Sequence, residues 1–290
     1  MSKLLTDLLD LLGLEKIEEN IYRGRSQDLG FGRVFGGQVL GQALSAASQT
    51  VDETLSAHSL HAHFLRMGDS SKPIVYSVNC VRDGRSFCTR HVEAVQFGKP
   101  ILHMTASFHI FEDGFEHQMT MPEVEGPEGL RSEYERTKAA EDKIPESIRA
   151  KVVAEKPIEI RPVNPINPFD PKILEPNKYN WFRASGSMPD DMSVHKYMLA
   201  YATDFGLLGT SLYPHGHTFW EREMQVASLD HALWFHRDFR MDEWLLHSMD
   251  SPSASHALGF TRGSIYDQSG RLVASTAQEG LIRKIELPEE

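Results

Sequence analysis

Near the end of the chain the run LVASTAQEGLI, Leu272 to Ile282, sets a carboxamide and a carboxylate, Gln278 and Glu279, among small and apolar side chains. A carboxamide offers two donor hydrogens and an acceptor oxygen, so a buried glutamine can orient a water or hold an oxyanion. On a strand, successive side chains face opposite sides, so Leu272, Ala274, Thr276 and Gln278 share one face and Glu279 lies on the other. Gln278 is then either a strand-end residue in solvent or a polar group set into a site. His58, His61 and His63 have metal-ligating side chains, but strand parity turns His58 away from the other two, which favours satisfied core or interface histidines. Cys80 and Cys88 match no zinc spacing and read as two small reduced side chains. No G-x-S-x-G elbow occurs, so a nucleophilic serine of the α/β-hydrolase kind has no support. Gly36 and Gly37 open a helix, where backbone N–H groups can meet an anion or the missing side chains can let a sheet come close.

The whole chain limits what those residues can do. Its 290 residues carry 40% hydrophobic and 24% charged side chains, ordinary values for a folded globular protein with a sizeable core. A formal net charge of -11, with no basic stripe, argues against nucleic acid as a partner. The leucine-rich start, MSKLLTDLLDLLGL, is interrupted by Asp7 and Asp10 and fits a short amphipathic helix better than a signal segment. No apolar run reaches the roughly 20 residues that a membrane span needs, so membrane insertion is not expected. The closing LPEE is no peroxisomal or retention address, and the expected location is cytoplasmic.

The elements that must position a site repeat. Nine of the fifteen prolines lie between Asp113 and Asn180, marking a connection with some helix in its middle, and each side of it resembles the other. ILHMTASFH after Gly98 matches LVASTAQEG after Gly270, placing Thr105 and Ala106 on Thr276 and Ala277. HSLHAHF matches SLDHALW, placing His61 on His231 and suggesting a shared structural role; GGQVLGQALSAAS matches HKYMLAYATDFG less surely, with Ser45 opposite Asp204. Each copy predicts one helix, near residues 37–49 and 194–208, followed by strands punctuated by turns such as Arg82-Asp83-Gly84. The expected organisation is an N-terminal repeat over 1–112, a linker with a helical segment over 113–155 and a C-terminal repeat over 156–290. One helix per antiparallel sheet is an α+β unit, used twice.

Through VFGGQVLGQAL, HSLHAHFLRMGD, FEHQMTMP, HKYMLAYATDF, SLDHALWFHRDF and LVASTAQEGLIR, in that order along both copies, the chain resembles the acyl-CoA thioesterase II family. The resemblance implies a tandem, or double, hot-dog fold, with two antiparallel sheets each wrapping a central helix. It implies hydrolysis of fatty acyl-CoA to free acid and CoA, without metal or organic cofactor. It implies a homodimer or homotetramer. It also implies a catalytic set in which an aspartate, a hydroxyl residue and a glutamine bind and activate water, matched here by Asp204, Ser228 and Gln278.

Thioester hydrolysis needs a base for the water and donors for the oxyanion, and those three side chains supply both. The residues aligned with them in the first copy, Ser45, His58 and Ser107, include neither carboxylate nor carboxamide, so the site is expected in the second copy alone. Asp204 as a plain helix cap is the bland alternative. A hot-dog hydratase or dehydratase of enoyl-CoA ranks lower, because no histidine follows Asp204 in FGLLGTSL. A non-catalytic acyl-CoA binder ranks lower too, because the polar set is intact. Arg33, Arg66, Arg85 and Arg262 are unranked candidates for the CoA phosphates.

Overall fold

Leu5, Leu8, Leu11 and Leu12 fall on one side of helix α1 (Lys3–Leu12), whose first turn is capped by the Ser2 hydroxyl accepting from the Leu5 N–H; all four leucines are buried. The opening leucines thus form the amphipathic helix that their spacing predicts. The computed structural model describes residues 2–30 and 32–286; the closing Leu287–Glu290 run lies outside the described residues.

Six strands belong to the first half: β1 (Glu15–Glu18), β2 (Ile21–Gly24), β3 (Leu55–Phe64), β4 (Ile74–Asp83), β5 (Phe87–Gln96) and β6 (Lys99–Ile110). Seven follow the connection: β7 (Ile158–Pro162), β8 (Asn177–Ala184), β9 (Met224–Ser228), β10 (Asp230–Phe235), β11 (Leu245–Ser255), β12 (Leu258–Asp267) and β13 (Leu272–Lys284). Instead of two separate sheets they form one 13-stranded antiparallel sheet, because β3 pairs with β10 and joins the halves edge to edge. The order runs β1-β2-β4-β5-β6-β3-β10-β13-β12-β11-β8-β7, with β9 beside β13. Two edges that would otherwise be open to other chains thereby satisfy each other.

Helix α2 (Gly36–Ser48) and helix α5 (Met192–Thr203) lie on the inner face of this sheet. They run antiparallel and nearly touch: a Cβ on Gly37 would meet the Tyr201 carbonyl at 2.3 Å, and one on Gly41 the Tyr197 carbonyl at 2.9 Å. Only glycine permits that approach. Helix α5 is shorter than its pattern predicts. Asp204 is its C-cap, and Gly206, at φ +72°, turns the chain out of the helix before a 3-10 segment, Leu208–His215.

The connection between the halves holds short helices α3 (Glu133–Ala139) and α4 (Glu146–Val152) and two 3-10 turns. Its Met121, Val124 and Leu130 pack with Trp181, Trp244, Leu246 and Tyr266, and the Trp181 indole donates to the Glu125 carbonyl at 2.8 Å. The linker is therefore docked on the outer face of the second half.

Candidate active site

Asp204 stands where the last turn of α5 meets the first turn of α2. Its side chain is only 6% exposed. The start of α2 lies against the carboxylate: the Gly37 N–H favours its ionised form, and a Cβ on Gly36 would lie 2.7 Å from Asp204 Oδ2. The positive end of α2 thus supports an anion contributed by the other half. Both readings of the glycine pair hold together, since close packing is what brings the donor within reach. Burial pushes the Asp204 carboxyl above the usual carboxylate range, against the lowering effect of bonds from Gln278 and Gly37. A raised pKa makes the ionised carboxylate a stronger base.

Gln278 is 1% exposed, on the inner face of β13, so the question posed by its sequence is answered: it is buried. Its Nε2 donates to Asp204 Oδ1 at 2.8 Å and lies 3.2 Å from His231 Nδ1. His231, fully buried on β10, reaches back through Nε2 to Thr203 Oγ1 at 3.1 Å. Burial draws the His231 pKa down to about 4, which keeps the ring neutral. Gln278 Oε1, buried on the same amide, has no hydrogen-bond partner among the described residues.

Ser228 ends β9 opposite Gly280, so it shares the inner face with Gln278 one row further along. Among the described residues no hydrogen bond joins its hydroxyl to Asp204 or Gln278. The structure therefore brings Asp204 and Gln278 into contact and sets Ser228 beside them on the same face.

His231 escapes the sequence reading for an identifiable reason. Ser228 and His231 are three residues apart, so strict alternation would send them to opposite faces. Register changes between them: Ser228 pairs with Gly280, but Ala232 pairs with Ala277. The extra residue of this bulge turns both side chains inward, as bulges beside functional sites do.

The first half has the same irregularity, where Ala57 pairs with Phe108 and Ser59 with Ser107, and it corrects the repeat alignment. At the junction Leu60 pairs with Leu233 and Ala62 with His231, so Leu60, not His61, matches His231. Ala106, opposite Leu60, then matches Gln278, and Ala57 matches Ser228. His61, by contrast, is exposed and meets the Trp234 ring edge-on, and Ser107 bonds His58 Nε2 at 2.8 Å. A slip of one residue exchanges the faces of a strand, which is why matching letters misplaced the partners. Ser45 is likewise no counterpart of Asp204: it lies within α2, whereas Asp204 caps α5.

His58, His61 and His63 do not gather around one point. The groups of side chains with metal-ligating spacing among the described residues are His91, Glu93 and His103, and His217, Glu221 and Glu223; neither includes Asp204, Ser228 or Gln278. Of the arginine candidates, Arg262 is paired with Asp250 at 2.7 Å and Arg66 Nη1 donates to the Pro100 carbonyl at 2.7 Å. Arg33 and Arg85 are exposed; Arg85 borders an open cleft of about 600 Å³ on the first half, which does not include Asp204.

Asp204 and Gln278 thus form a buried polar pair on the inner face of the antiparallel sheet, beside the N-terminus of α2. Residues 147–281 match the acyl-CoA thioesterase family and residues 25–109 the acyl-CoA thioesterase N-terminal domain. The chain is 46% identical to acyl-CoA thioesterase 2 of Haemophilus influenzae, covering 98% of this chain and 99% of that one. The crystal structure of an acyl-CoA thioesterase II of Mycobacterium marinum superposes with a TM-score of 0.78 at 39% identity, over 96% of this chain and 98% of that one. A hot-dog-fold protein of Alicyclobacillus acidocaldarius, 18% identical, gives the same TM-score of 0.78 over 97% and 99% of the two chains and shares the fold. The chain belongs to the acyl-CoA thioesterase family.

Proposed function

We propose that the protein hydrolyses fatty acyl-CoA thioesters to free acid and CoA, with Asp204 as the base for water and with Gln278 and Ser228 as its polar partners. The observation that carries this reading is the buried Asp204–Gln278 bond beside an amide oxygen without a protein partner. In the step envisaged, Asp204 takes a proton from water as the water oxygen bonds to the thioester carbonyl carbon. The tetrahedral intermediate collapses, the C–S bond breaks, and the thiolate of CoA takes the proton back from Asp204. Gln278 Oε1 accepts the second hydrogen of the water and so aims its lone pair at the carbonyl. Ser228 is the nearby donor for water or oxyanion. No metal or organic cofactor enters these steps.

The same reading treats the chain as a double hot dog: 1–112 and 156–290 are the two units and 113–155 the linker that joins them, packed on the outer face of the second. The bulge shared by β3 and the β9–β10 run supports that division. A homodimer or homotetramer is the proposed assembly, to be measured by light scattering. No helix of the described residues is long and apolar enough to cross a membrane. Free Cys80 and Cys88 fit the proposed cytoplasmic location.

The test is release of free thiol from straight-chain acyl-CoAs of graded length, with a chelator present. Turnover of medium and long chains is expected. No CoA release above the buffer rate across the whole series would end the proposal.

A further inference from the structure

We propose that His231 is a positioning residue for this site: as the neutral Nε2–H tautomer, it fixes the Gln278 carboxamide with its nitrogen toward Asp204 and its oxygen free for water. The available hydrogens dictate this arrangement. Gln278 Nε2 can only donate, and it faces Asp204 Oδ1 at 2.8 Å and His231 Nδ1 at 3.2 Å. Both amide hydrogens are therefore used, and Nδ1 must present a bare lone pair. Thr203 Oγ1 donates to the Ala200 carbonyl at 3.3 Å, so it accepts from His231 Nε2–H at 3.1 Å. One proton arrangement satisfies every member of this ring.

Flipping the amide breaks it twice. Oε1 would then face the Asp204 carboxylate and the Nδ1 lone pair, three acceptors without a hydrogen among them. Held in the observed sense, Gln278 keeps Oε1 buried and, among the described residues, unpaired, an arrangement that is costly until water or substrate fills it. The first half supplies an internal control. At the matching positions Leu60 stands opposite Ala106, so the imidazole and the carboxamide are absent together.

The titratable groups facing His231 are Asp204 at the end of α5 and His247 on β11, with Lys178 of β8 behind His247. His247 bonds Thr276 Oγ1 at 3.2 Å, and burial takes its pKa down to about 3, so it too is neutral. Asp204 is the charged group nearest the ring among the described residues, its Oδ1 3.9 Å from His231 Nδ1.

The kinetic arm of the test rests on the hydrolase reading; a spectroscopic arm does not. His231→Leu removes both ring nitrogens, whereas His231→Asn returns an oxygen near the place of Nδ1. For His231→Leu, kcat is expected to fall about 10- to 100-fold with KM nearly unchanged, and His231→Asn is expected to recover to within about fivefold of wild type. Equal kcat in the two variants, or a change confined to KM, would overturn the proposal. The second arm compares long-range 1H–15N spectra of 15N-histidine protein, wild type against His231→Asn, to assign the ring. An Nε2–H signature at neutral pH is expected, and an Nδ1–H or cationic ring overturns the proposal even if no thioester is hydrolysed. If His231→Leu does not fold, Thr203→Val takes its place. That variant deletes the acceptor for Nε2–H and is expected to populate Nδ1–H and slow kcat several-fold; an unchanged tautomer and rate would overturn the assignment.

Discussion

The two halves of the molecule share strands, bulge and helix, yet their inner faces differ in kind. Ser228, His231 and Gln278 line the second, where the first has Ala57, Leu60 and Ala106. Thr261, opposite Gln278, has as its counterpart Arg90, opposite Ala106. Arg90 is committed elsewhere, to Asp83 at 2.6 Å and to the Thr50 carbonyl at 3.0 Å. Even the Ala57 carbonyl is occupied, by the buried ammonium of Lys196 at 2.8 Å, whose pKa burial draws down to about 8. A shared fold thus carries a polar site in one half and packing in the other. The halves remain interdependent, because the N-terminus of α2 from the first half holds Asp204 of the second. The proposed site is thus composite, with its carboxylate in one half and the supporting helix N-terminus in the other.

The largest expected effect that sharpens this contrast is at Asp204. Asp204→Asn keeps the shape and removes the proton acceptor, so turnover is expected to fall by roughly 10² to 10⁴. Stability should move the other way. Folding raises the carboxyl above its unfolded value of 3.8, so the stability contributed by its proton is full below that value and is lost as pH rises through the folded pKa. At neutral pH the asparagine variant is therefore expected to melt no lower than wild type, and the difference between them should shrink toward pH 3. Turnover of the wild type should rise across the same window as the base ionises. A variant that keeps more than about a tenth of the rate would show Asp204 to be a cap and not a base.

Next in size is an exchange between the halves. Gln278→Ala is expected to cost about 10²-fold in kcat. Ala106→Gln should confer no second site and should destabilise by about 1–3 kcal/mol, since a carboxamide beside Leu60 finds no partners. Calorimetric titration with a non-hydrolysable acyl-CoA thioether would count sites per chain, and two would break the comparison.

Gly36→Ala probes the contact between the halves. The added methyl would meet Asp204 Oδ2 at 2.7 Å and the Phe64 ring at 2.9 Å, so the carboxylate must shift. A loss of about tenfold in kcat, greater than any accompanying fall in melting temperature accounts for, is expected from a displaced base. The smallest effect belongs to Ser107→Ala. Ser107 faces outward with His58, so turnover within about twofold of wild type is expected, as for a surface change remote from the chemistry.

Much of this was legible in the sequence. The alternation in LVASTAQEG gave Gln278 a definite face, the glycines of VFGGQVLG marked a tight helix start, and the leucine spacing of residues 4–12 marked α1. The repeat was visible as well, because its turn residues and helix composition recur. What letters alone misjudged was register. A bulge adds one residue without any distinctive side chain, so His61 aligned with His231 and Ser107 with Gln278, although in each pair one residue faces solvent and the other the core.

The sequence by itself determined the element order, the chemical types available to the site and the asymmetry between the copies. Each of these depends on local pattern or composition. The tertiary structure alone decided that two predicted sheets fuse through β3 and β10, that the start of α2 lies against Asp204, and that His231 meets Gln278. Those contacts join residues 74, 47 and 167 positions apart for the Asp204–Gln278, His231–Gln278 and Gly37–Asp204 pairs. Their partners are chosen by how two helices and a sheet pack, and a buried pKa or an unpaired amide oxygen exists only once that packing has excluded water.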